Sequence, residues 1–131
     1  MVKKWIVILI IFLALILGCV FEGVYIKNSF NNFQVQLENA KTCLEQDKGN
    51  IDNEENIKKL EKIENSWDKE IKVLKSLIWH TGLKEIEIGL SRVITYTKEN
   101  NFTEALTELN AILDYLETYE DEFKFSWENL L

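Results

Sequence analysis

The sequence predicts an all-α protein: an N-terminal transmembrane helix followed by a small antiparallel bundle of two helical hairpins. Three observations carry this. Residues 5–21 hold no charged side chain. Downstream, apolar residues recur at spacings of three and four, the period of one helix face. The chain has no proline and only 5 glycines, which favours helices over a loop-rich or all-β fold.

The apolar run comes first. A helix over residues 5–21 rises about 25 Å, close to the roughly 30 Å hydrocarbon core of a bilayer. Trp5 and Phe21 mark its ends, and Tyr25 follows at headgroup level. A core helix of a soluble domain carries a polar stripe, and this run has none. Lys3 and Lys4 precede it, whereas Glu22 is the first charge after it. The positive-inside rule therefore puts the N-terminus in the cytoplasm and the rest of the chain outside. Residues 1–27 are read as a membrane anchor and residues 28–131 as an acidic extracytoplasmic helical domain.

Leu17-Gly18-Cys19-Val20 lacks a small-x-small cleavage site. Gly18 before Cys19 fits a lipoprotein signal, while Leu17 and the continuing Val20-Phe21 fit it poorly, so lipidation of Cys19 stays open. Either route leaves the domain on the outer face of the membrane.

The first domain helix is expected over residues 28–46, with Phe30, Phe33, Leu37, Ala40 and Leu44 on one face. Only Gly23 interrupts the sequence between it and the anchor, so one long helix is compatible with the pattern. Residues 47–53 form a turn cluster, with Gly49 as the expected helix stop. Asn53 caps the second helix, and Glu54 and Glu55 occupy its positively polarised first turn. Its stripe is Ile57, Leu60, Trp67, Ile71, Leu74 and Ile78, with Ile63 and Leu77 alongside. His80-Thr81-Gly82 is the next break. A third helix over residues 83–98 buries Leu83, Ile86, Leu90, Val93 and Ile94. Asn101 caps the fourth, with Glu104 three residues on, a variant of the capping box. Phe102, Ala105, Leu106, Leu109, Ile112, Leu113 and Leu116 form that helix's core stripe. Short connections make neighbouring helices antiparallel.

Charge excludes some functions. Without Lys3 and Lys4, 13 basic residues face 22 acidic ones, about −9 in all. Such a surface repels phosphate backbones, so no nucleic-acid partner is expected. It also opposes broad adsorption to anionic headgroups, leaving membrane contact to the anchor. Two cysteines in different settings, Cys19 in the apolar run and Cys43 in a helical pattern, make no disulfide framework.

No enzyme chemistry is legible. There is one histidine, and there is no phosphate loop or nucleophile motif. His80 with Glu85 and Glu87 is the candidate metal or ligand centre, but Glu85 and Glu87 stand two apart and face different ways on a helix. One histidine with scattered carboxylates falls short of a metal-ligand set, and no cofactor is expected. Glu87 is read instead as an ion-pair partner of Arg92 or a hydrogen-bond partner of His80. Phe123, Phe125 and Trp127 alternate with Lys124 and Ser126. They are read as a tail that packs on the bundle or as an exposed aromatic docking segment.

Taken together, Lys3-Lys4 before a span and a Trp-containing helix ending at His80 make a pattern. To it belong Glu85-Ile86-Glu87-Ile88-Gly89-Leu90-Ser91-Arg92, and a Glu104-Ala105-Leu106 helix before Ser126-Trp127-Glu128-Asn129-Leu130-Leu131. With them the chain resembles a bacterial, clostridial-type family of membrane-anchored proteins, domain of unknown function 4363. The resemblance runs over nearly the whole chain. It implies a bacterial source, an anchor and a helical domain, and it supplies no activity or site residue.

The expectation from the residues is a non-enzymatic module at the outer face of the cytoplasmic membrane. It would touch lipid through its anchor and meet a protein partner or a second copy of itself. The alternative is a small-ligand or metal sensor centred on His80 and Glu87.

Overall fold

The computed structural model describes the backbone of residues 2–77 and 81–130, and side-chain surroundings for residues 2–73 and 83–121. Four helices account for almost all of it: α1 Val2–Gln46, α2 Glu54–Leu77, α3 Thr81–Lys98 and α4 Phe102–Leu130. Among the described residues there is no strand. Helices α3 and α4 make the most extensive contact, α2 packs on both α1 and α3, and α4 closes back on α1. The result is a four-helix bundle with consecutive helices antiparallel, as short connections require.

Helix α1 runs 45 residues, about 67 Å, without a break between its apolar and amphipathic parts. The burial of its side chains changes along the way. Every described residue up to Glu22 is exposed. Gly23, Ile26, Phe30, Phe33, Leu37, Ala40 and Leu44 are buried. The bundle core thus begins at Gly23, inside the stretch assigned from sequence to the anchor. No helix stop separates the two parts, so the bundle's first helix is a direct extension of the apolar run.

The core is one cluster. Leu60, Ile63, Trp67 and Ile71 come from α2, Leu83, Ile86, Leu90, Val93 and Ile94 from α3, and Ala105, Leu109, Ile112, Leu113 and Leu116 from α4. The expected stripe of α2 needs one correction. Near its start the buried position is Asn56, and Ile57 is only half-buried. Asn56 is held inside because its amide donates to Asp47 Oδ2 at 3.0 Å and to the Ile51 carbonyl at 3.3 Å. Leu74, Leu77 and Ile78 lie outside the residues whose side chains are described.

Both loops at the end away from the apolar run are tied by asparagines. Asn53 accepts from the Asn56 backbone N–H at 2.9 Å, the expected N-cap. Asn101 caps α4 by accepting from Glu104 N–H at 3.3 Å. Gly49 does not stop α1 with a left-handed residue, since no glycine among the described residues has a positive φ. The helix ends at Gln46 in a turn closed by Asn50 N–H donating to Asp47 O at 2.7 Å. The left-handed residue is Asn100, with φ 55°. Its N–H donates to Thr97 O at 3.0 Å and the Asn101 N–H donates to Tyr96 O at 2.9 Å, the paired bonds of a Schellman ending. The Asn100 side chain then accepts from the fully buried Ile51 N–H at 3.0 Å and fastens the two loops together.

The aromatic segment also needs correction. Phe123, Phe125 and Trp127 are not in a separate tail, because α4 stays helical to Leu130. No glycine or proline lies between Leu116 and Leu130 to end the helix.

Candidate functional site

The structure gathers polar groups in the groove between α1 and α2. On α1, Ser29, Asn32, Gln36 and Asn39 follow one another at spacings of three and four, so they share a face beside the core stripe. Opposite them on α2 stand Lys59, Lys62, Ser66 and Glu70. Two adjoining cavities of about 180 Å³ each lie along this groove and share Gln36 and Ser66 in their walls.

Its floor is aromatic. Phe33 and Trp67 stack with ring centroids 4.4 Å apart and planes at 27°. Trp67 is 1% exposed, and its indole Nε1 has no hydrogen-bond partner among the described residues. A buried N–H without an acceptor is uncommon in a folded protein, and the Trp67 side chain also lines the groove.

The end nearer the apolar run is set by Glu70. Its Oε2 accepts from the Tyr25 hydroxyl at 2.7 Å and from Ser29 Oγ at 3.2 Å. These bonds fix the carboxylate against α1 and lock the two helices just beyond the point where α1 enters the bundle. At the far end Lys59 Nζ lies 3.1 Å from the Cys43 sulfur. Cys43 is half-buried and free, and Cys19 is free and exposed on the apolar part of α1.

On α2, beside α3, a carboxylate is displaced from its ordinary behaviour. Glu64 has its pKa raised, first by burial, then by Asp68, Glu61 and Glu87, with Lys98 opposing. Lys98 itself pairs with Glu61 at 3.4 Å.

The sequence-predicted centre falls partly outside the described residues. His80 lies outside the described residues. Glu87 is exposed on α3 rather than sheltered by the apolar face. Arg92 reaches across to Glu108 of α4 at 3.8 Å instead of pairing with Glu87. The side chains of Phe123, Phe125 and Trp127 lie outside the described set, so their reading as an interaction surface is untouched. Trp5 and Phe21 are both 72% exposed, at either end of a stretch whose described residues are all exposed. The Trp67–Phe33–Glu70 constellation was missed. Trp67 was legible as core, but its stacking partner depends on how α1 and α2 are set against each other.

By length and composition α1 is able to cross a membrane, and a signal sequence near an N-terminus meets the same test. Searches against curated proteins and against solved structures found no match. A family model, domain of unknown function DUF4363, matches residues 20–130, which covers the whole bundle and leaves most of the apolar run outside. The chain is a member of the DUF4363 family.

Proposed function

We propose that this protein is a non-enzymatic, single-pass membrane module whose bundle stands on the outer face of the cytoplasmic membrane and binds a protein partner, or a second copy of itself. The observation that carries the reading is the uncovered apolar half of α1. Leu17 is 67% exposed and Phe21 72%, within a stretch apolar on every side. A contiguous apolar surface of that extent is stable in lipid and not in water. Lys3 and Lys4 before the stretch favour the N-terminus inside.

The groove between α1 and α2 is the face best suited to a partner. It offers the exposed amides of Asn32 and Gln36, groups that recognise backbone or side-chain polar atoms of another protein. Tethering in the membrane raises the local concentration of both partners, so a weak polar contact suffices. The sensor alternative has less support, because Glu87 is exposed and adds to the negative field at Glu64.

The test is site-specific photocrosslinking in intact membranes, with the photoreactive residue at Gln36 in the groove and at Thr107 on the outer face of α4. A discrete adduct from Gln36 and none from Thr107 is the expected result. Absence of any adduct from Gln36, in a chain that stays with the membrane, refutes the groove as a docking face.

A further inference from the structure

The register of α4 against α1 gives the level at which α4 ends. At the loop end, the Lys48 ammonium lies over the Phe102 ring, 5.4 Å from its centroid. Toward the apolar run, the Phe30 and Tyr119 rings sit 5.9 Å apart. Lys48, in the turn just past α1, meets the first residue of α4, and Phe30 meets Tyr119 further along, so the two helices run antiparallel in near register. Carried on residue by residue, that register sets Phe123 level with Ile26, Trp127 with Glu22 and Leu130 with Cys19.

This is the level at which α1 changes character. Ile26 and Gly23 are its first core residues, and every described residue before Gly23 is exposed. Helix α4 changes character at the same level. Glu117, Glu120, Asp121 and Glu122 make its preceding turns strongly acidic, whereas residues 123–130 hold one lysine, one glutamate and the aromatic residues Phe123, Phe125 and Trp127. A neutral, Trp-containing helix end suits the headgroup layer of a bilayer, where indole rings concentrate, and the acidic turns suit the water above it.

From this juxtaposition we infer that residues 123–130 of α4 form a second membrane contact, lying in the headgroup layer of the bilayer that α1 crosses. The bundle then meets the membrane through two helices, and its tilt is fixed by both. This inference rests on α1 being a membrane span.

The test uses the full-length chain in phosphatidylcholine vesicles, with Cys19 and Cys43 replaced by serine. Nitroxide labels are placed one at a time at Ser126→Cys, Glu128→Cys and, as a control in the far loop, Asp52→Cys. Positions 126 and 128 are about 200° apart on a helix, so both sides of the segment are sampled. The expected result, at one or both of them, is a several-fold lower collision rate with a water-soluble nickel chelate than at position 52, together with a higher rate with oxygen. Labels at both positions as open to the chelate as position 52, in chains that float with the vesicles, overturn the inference and leave the span standing. Low rates with both reagents at the two positions mean burial against protein, which also overturns it. Chains that fail to float with vesicles overturn the span itself.

Discussion

Gly89 gives the most demanding test of the packing. It lies in α3, the helix most closely applied to α4, and a methyl group added there would fall 2.8 Å from Ile112 Cγ1 and 3.1 Å from its Cδ1. Unstrained carbon contacts are about 3.5–4.0 Å. In a helix interior alanine is favoured over glycine by about 1 kcal/mol. Overpacking of a filled core costs about 1–3 kcal/mol, and Ile112 is 3% exposed with little room to retreat. Gly89→Ala should therefore lower stability by about 0–2 kcal/mol. Ile112→Ala alone should cost about 2–5 kcal/mol. In that background the added methyl meets open space, and Gly89→Ala should now stabilise by about 1 kcal/mol. Urea unfolding of the detergent-solubilised chain, followed by circular dichroism, measures all four corners of the cycle. If Gly89→Ala stabilises the native protein as much as it stabilises Ile112→Ala, the close approach of α3 to α4 is wrong.

Other consequences follow from single sites. Asn100→Ala puts a residue that tolerates the left-handed region less well than asparagine at φ 55° and strands the Ile51 N–H, so thermal melting should report a loss of about 2 kcal/mol, with Asn100→Gly losing less. Equal losses would mean that the backbone angle is irrelevant there. Trp67→Ala should cost about 3–5 kcal/mol in the same urea assay, because it empties a fully buried site and removes the stack on Phe33. For Glu64, a folded pKa above the ordinary carboxylate value means that the folded state prefers the proton. Its penalty is absent in acid and fully present once the pH has risen past the raised value. Glu64→Gln should accordingly melt higher than the native chain at neutral pH, with the gap closing on acidification. A gap that does not change with pH would contradict the half-buried, acid-flanked setting of that carboxylate.

Periodicity carried the helices and most of the core, because each is a local pattern. Phe30, Phe33, Leu37, Ala40 and Leu44 repeat as one face and are all buried. Leu83, Ile86, Leu90, Val93 and Ile94 do the same. The caps at Asn53 and Asn101 obey rules that span three residues, so they too were readable. What escaped depends on contacts between distant segments. Whether Gly49 or a side-chain network ends α1 turns on Asn56 and Asn100 meeting Asp47, Gly49 and Ile51 across the loops. Arg92 selects Glu108 over Glu87 because α4 brings Glu108 within its reach, and Glu87 lies in the preceding turn of α3. The groove needs the register of α1 against α2, which brings Glu70 to Tyr25 and Trp67 to Phe33. The aromatic segment misled for a different reason. Its alternation with Lys124 and Ser126 reads as a tail, yet no residue there breaks a helix already under way.

The central claim is that the apolar half of α1 resides in lipid while remaining part of the same helix as the bundle. Carbonate extraction of membranes from cells making the full chain, followed by high-speed sedimentation, tests it most directly. The account predicts that the protein stays in the alkaline-washed pellet at its full mass and is released only by detergent. Recovery of the protein in the carbonate supernatant, or of a form shortened by the length of the apolar run, would contradict it.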